Sequence, residues 1–185
     1  MKHTRWIYAV LLASAFAFTA CDDDDDNIID DDPSLNAADK TFLENAARAN
    51  MTEIEFGTLA ADKGSDSLVV AFAQHMIDEH TTAQDELEDI RDDYDNIDWP
   101  EEMDQEHLDI MSGLDTLEGY QFDSLYIASQ VMDHEAAESL FQNASDNATE
   151  TQIKSYAAKY LPHIQEHLSR ADSVQSVLAT RAGTN

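Results

Sequence analysis

Apolar residues along this chain recur every three or four positions, and no stretch alternates long enough for a strand. This period predicts four long helices. The first runs from about Ala37 to Lys63 and stops at Gly64. The second runs from about Ser67 to Asp93, with Ser65 or Asp66 as its N-cap. A connector over 94–119 contains Trp99-Pro100 and a shorter helix, Glu101–Leu114. The third long helix spans about Tyr120 to Ala144, and the fourth about Thr149 to Thr180. Pro162 falls inside the fourth, where a missing N–H and a bulky ring predict a kink near Tyr160.

Connection lengths then limit the topology. Only a few residues join helices one and two, or three and four, so each pair is an antiparallel hairpin. The connector between hairpins is long enough to travel the length of a bundle. The expected fold class is therefore all-α, a ferritin-like four-helix bundle of two hairpins joined by a long crossover with a short helix.

Polar residues interrupt the apolar stripes. Helix one reads Phe42, Ala46, Ala49, Glu53, Phe56, Ala60, and helix two reads Leu68, Phe72, Met76, His80, Ala83, Leu87, Ile90. Helix three reads Tyr120, Ile127, Val131, His134, Ala137, Phe141, and helix four reads Ile153, Ala157, Tyr160, Ile164, His167, Ala171, Val174. Each stripe carries one carboxylate or imidazole on its buried line. Their depths agree to about one turn, at about 1.5 Å of rise per residue. Glu53, His80, His134 and His167 are thus candidate ligands for one interior cation. Zinc, copper, iron and manganese all accept such a set. His163, one turn before His167, and Glu138, one turn after His134, are possible additional ligands. Asp78 and Asp133 are candidate acceptors behind the ligands. A metal-free network of hydrogen-bonded Glu and His is the alternative. The Glu-x-x-His pair of two-iron carboxylate bundles is absent: Ile77, Val131 and Ile164 occupy the positions three before the histidines. Asp104-x-x-His107 has ligand spacing but falls in the crossover, where solvated surface is expected.

Charge narrows the partners. The chain carries 39 Asp and Glu against 10 Lys and Arg, a formal net charge of −29. A surface this acidic excludes nucleic acid and favours cations or a basic protein partner. No nucleophile elbow or phosphate loop is present, so redox chemistry at a bound metal is the one enzymatic route left open, and a non-catalytic role is favoured.

The N-terminus carries an address. Lys2 and Arg5 precede an uncharged apolar stretch from Ile7 to Phe18, then Thr19-Ala20-Cys21. The stretch is short for a membrane span. A signal peptide over 1–20 is expected, with Cys21, the chain's single cysteine, as the lipidated residue. This resembles a bacterial lipoprotein, and the resemblance implies a thioether-linked diacylglycerol plus an N-acyl chain. Asp22–Asp32 holds eight acids and no base, so 21–35 reads as an extended acidic tether. The bundle follows over 36–180, and 181–185 is a tail. The expected location is the cell envelope, lipid-anchored. An acidic run after the cysteine resembles surface-export signals on outer-membrane lipoproteins; the periplasmic face of the inner membrane is the alternative.

Four segments occur in order: Glu53-Ile-Glu-Phe-Gly57, Met76-Ile-Asp-Glu-His80, Val131-Met-Asp-His134-Glu and Leu161-Pro162-His-Ile-Gln-Glu-His167. Together they resemble the bacterial ferritin-like family called domain of unknown function 4142, from about Asp39 to Val177. The family pattern falls on Glu53, Asp78, His80, Phe122, Asp123, Tyr126, His134, Leu161, Pro162 and His167. The resemblance implies an exported four-helix bundle and no established activity. His163 lies outside that pattern.

Overall fold

The computed structural model of the chain describes residues 35–183. Cys21, the signal and most of the acidic tether lie outside the described residues. Five helices follow one another: α1 (Ala37–Lys63), α2 (Ser67–Arg91), α3 (Gln105–Asp115), α4 (Gly119–Asn147) and α5 (Thr151–Ala182). There is no strand among the described residues. No described helix is long and apolar enough to cross a membrane.

Helices α1 and α2 form one hairpin and α4 and α5 the other. Across the hairpins, α1 packs on α4 and α2 on α5, while α3 in the crossover touches α1 and α4. This is the ferritin-like plan that the loop lengths demand. The boundaries have local causes. Asn36 caps α1 by accepting from the N–H groups of Ala38 and Asp39. Asp66 caps α2 through Leu68 N–H, and Asp104 caps α3 through His107 N–H. The Asp104 cap starts α3 at Gln105, later than the expected start at Glu101. Helix α5 runs on through Pro162, whose ring nitrogen has no hydrogen to donate.

Two buried aspartates bind each hairpin to the turn of the other. Asp39, near the start of α1, accepts from Thr149 N–H and Glu150 N–H at 3.1 and 2.9 Å, in the α4–α5 turn. Asp123, in the first turns of α4, accepts from Ser65 N–H and Asp66 N–H, both at 2.9 Å, in the α1–α2 turn. Each clasp satisfies backbone donors at a helix start that water would otherwise have to serve. One lies at each end of the bundle.

The apolar interior forms two clusters. One is built around Phe42, Phe141 and Tyr156, the other around Phe56, Phe72 and Tyr126. Helices α1 and α2 come very close at Gly57, where an added Cβ would lie 2.9 Å from Ile77 Cγ1 and 3.1 Å from Ala73 O. Leu68 and Tyr120, expected on the core lines, are exposed at 37% and 48%. Both lie in the first turn of their helices.

Candidate metal centre

The four polar interruptions are all buried, each less than 10% exposed: Glu53, His80, His134 and His167. They line a cavity of about 330 Å³ that lies between the helices. Three of them converge. His80 on α2, His134 on α4 and His167 on α5 each offer a ring nitrogen, and these atoms lie within 4.8 Å of one another. Their ring centroids are 5.3 to 5.8 Å apart. Helical geometry explains the arrangement, since each histidine replaces one apolar residue at the same level of its stripe.

Hydrogen bonds fix which nitrogen faces inward in two of the rings. His134 Nδ1 donates to Gln130 O at 2.8 Å, one turn back on α4. His80 is fixed by a longer chain. Tyr156 donates its hydroxyl to Ala83 O at 3.1 Å. The same oxygen therefore accepts from Asn50 Nδ2, also at 3.1 Å. That turns Asn50 Oδ1 towards His80, and His80 Nδ1 donates to it at 3.0 Å. In both rings the hydrogen is on Nδ1 and the lone pair is on Nε2. Nε2 of His80, Nε2 of His134 and both nitrogens of His167 are buried without a hydrogen-bond partner. Outer hydrogen bonds that set the tautomer of an imidazole are the usual support of a metal ligand.

Burial also keeps the rings neutral. It lowers His134 to about 4 and His167 to about 3, with the neighbouring His134 adding to the latter. His80 is lowered well below the usual value by burial and by the other imidazoles. Neutral imidazoles are the form that binds metal.

Glu53 does not join the three rings. Its Oε1 lies 3.7 Å from His134 Nδ1, the nitrogen already turned to Gln130, while Oε2 is buried without a partner. Burial, reinforced by the nearby Asp133 charge, pushes its carboxyl up to about 8. Glu53 therefore stands behind His134 as a protonated acid at neutral pH, and the expected quartet becomes three imidazoles with a carboxyl alongside.

The other candidates are dispersed. His163 is 44% exposed and its Nδ1 is 2.9 Å from Glu79 Oε2. Glu138 accepts from Gln165 at the surface, and Asp78 is an exposed partner of Gln74. Asp133 is half-buried and its Oδ1 lies 3.3 Å from His107 Nε2. His107 is not the solvated residue expected of a crossover. Its Nδ1 lies 2.8 Å from Asp104 Oδ1, and it borders the same cavity. Burial alone would lower His107, but the Asp104 hydrogen bond and the Asp133 charge outweigh it and raise its pKa. Spacing had singled out Asp104 and His107; nothing local shows that α3 folds back onto α4.

Residues 29–174 match the profile of a family described as a domain of unknown function, DUF4142. The chain belongs to this family. The span agrees with that of the ordered motifs, and within this DUF4142 chain six of the motif residues fall into two groups. Glu53, His80, His134 and His167 line the interior, whereas Asp123 and Phe122 hold the far end of the bundle. No curated protein matches the chain. Among solved structures, it is similar to the crystal structure of a DUF305 fragment from Deinococcus radiodurans, with a TM-score of 0.67 and 13% identity. The match covers 80% of this chain and 99% of that one, and at such identity the likeness is one of fold.

Proposed function

We propose that the protein binds one transition-metal cation inside the bundle, held by Nε2 of His80, Nε2 of His134 and one ring nitrogen of His167. The observation that carries this reading is the convergence of buried, unpaired ring nitrogens whose tautomers are set from outside. A metal-free network would pair these atoms with each other or with Glu53, because a buried acceptor left unpaired costs about 1–3 kcal/mol. Three neutral imidazoles suit zinc, copper or iron better than manganese, which favours oxygen. They leave at least one coordination position for water or a further ligand.

Protein purified without a histidine tag should contain one equivalent of metal by elemental analysis. Zinc at about a hundred times its Kd should add about 2.7 kcal/mol of stability. That corresponds to a thermal midpoint higher by about 5–10 °C for a chain of this size. His80→Gln should weaken binding by about a hundredfold, since one of three ligands is lost. Absence of stoichiometric metal, together with a midpoint that chelation leaves unchanged, would overturn the reading.

We infer further that the bundle is tethered to a membrane of the cell envelope through acyl chains on Cys21. The support is the signal-like segment ending at the chain's single cysteine and the acidic run after it. Two or more acyl chains give stable anchoring where one is marginal. Growth with a labelled fatty acid should mark the wild-type protein and leave Cys21→Ser unmarked. Equal labelling of the two would rule the anchor out.

A further inference from the structure

His167 belongs to two clusters at once. On its inner side are His80 and His134. On its outer side are His75 and Glu79, which with His167 form a second group of ligand atoms within 4.8 Å of one another. The Glu79 carboxylate gathers imidazoles from two helices: His75 Nε2 at 3.9 Å, His163 Nδ1 at 2.9 Å and His167 Nε2 at 3.3 Å. The outer residues are partly exposed, with side chains at 27% for His75, 31% for Glu79 and 44% for His163, against 3% for His167. The rings form an even path inward. The His167 centroid is 5.3 Å from that of His75, 5.4 Å from that of His80 and 5.3 Å from that of His134.

The three interior rings also differ in how they are held. His80 and His134 are each pinned through Nδ1, whereas His167 has only the Glu79 carboxylate as a polar partner, 3.3 Å from its Nε2. The ring thus has ligand groups on both sides, Glu79 and His75 outside and His80 and His134 inside.

We propose that His75, Glu79 and His163 form an outer cation station in the seam between α2 and α5, and that His167 passes the ion from this station to the interior site. The proposal rests on the interior reading above and adds the route by which the site is filled. Its chemistry is stepwise ligand exchange. A hydrated divalent cation first exchanges water for the Glu79 carboxylate and the outer imidazoles, then for His167, then for His80 and His134. The carboxylate matters because the interior ligands are uncharged rings. Moving a bare dication from water to three neutral ligands in one step carries a large desolvation cost, and a half-exposed anion at the rim divides it.

The test is stopped-flow loading of the metal-free full chain with Co²⁺, followed by its visible absorption. Glu79→Gln should slow loading by about tenfold while the final interior occupancy is unchanged. Because the Glu79 side chain is only partly exposed, circular dichroism should first show that the variant is as helical as the wild type. Glu86→Gln, which removes an acid that pairs with Lys159 outside the cluster, should load like the wild type. Wild-type loading by Glu79→Gln would overturn the outer station and leave the interior site standing. So would equal slowing in both variants, which would reduce the effect to general surface charge. A lower equilibrium affinity in Glu79→Gln at an unchanged loading rate would make Glu79 an interior ligand and also overturn the station. Failure of the wild type to take up Co²⁺ at all would remove both readings.

Discussion

Glu53→Gln is expected to make the metal-free protein more stable at pH 7, by about 2–3 kcal/mol. In the fold the Glu53 carboxyl titrates at about 8, against 4.5 for an ordinary glutamate. Between those values the folded protein holds a proton that the unfolded chain has released. The stability that Glu53 contributes is therefore complete below about pH 4.5 and is lost as pH rises towards 8. At pH 7 the loss covers 2.5 pH units, or about 3 kcal/mol. Glutamine has no proton to give up and escapes this loss. It brings a second N–H into the same pocket, which offsets up to about 1 kcal/mol. Urea unfolding of the chelator-treated protein should show the variant's midpoint raised by about 1–2 M, for a urea m-value of about 1–3 kcal/mol/M. The advantage should shrink as the pH is lowered to 4.5. A midpoint at pH 7 equal to or below that of the wild type would show that Glu53 is ionised in the fold.

Acid should act in the opposite direction through the imidazoles. His134 falls from the usual 6.5 to about 4, and His167 to about 3. Here the unfolded chain binds the proton first. The stability due to a buried neutral histidine is thus complete above about pH 6.5 and is lost as pH falls towards its folded pKa. For His134 alone the window is worth about 3 kcal/mol. The three rings together outweigh the gain that Glu53 makes over the same range. Metal-free wild type should therefore unfold at much lower urea at pH 4.5 than at pH 7. His134→Gln should remove part of that slope, since glutamine does not titrate. Parallel pH profiles for the two proteins would mean that His134 is already protonated in the fold.

The helices and the level of the buried histidines were legible because both follow from the 3.6-residue period. His80, His134 and His167 each replace an apolar residue in an otherwise regular stripe, so their burial could be read directly. Glu53 was placed on the correct face but not against the correct atom. Its separation from the three rings depends on rotamers and on the tautomer of His134, which spacing does not encode. Asn50 was missed for a related reason. It lies beside the stripe position taken by Ala49, and its role appears only once Tyr156, more than 100 residues later, is known to face it. Glu79 and His75 could not be picked out from the sequence of α2, because their meaning depends on α5 lying alongside. The crossover was the least legible part. The short helix was expected from Glu101, whereas the Asp104 cap starts it at Gln105, and the same aspartate holds His107, which also meets Asp133 of α4.

The two aspartate clasps also set where the bundle can breathe. Helical bundles usually open first by fraying at their ends, where backbone groups are held least. Here Asp39 ties the start of α1 to the α4–α5 turn at one end, and Asp123 ties the start of α4 to the α1–α2 turn at the other, so fraying there must first break buried, charge-assisted hydrogen bonds. Opening is then expected first along the side walls, where two helices can part by rotation of side chains while the backbone stays helical. A cation entering the interior would then be expected to exchange through such a seam on the time scale of side-chain motion, without any helix having to unwind.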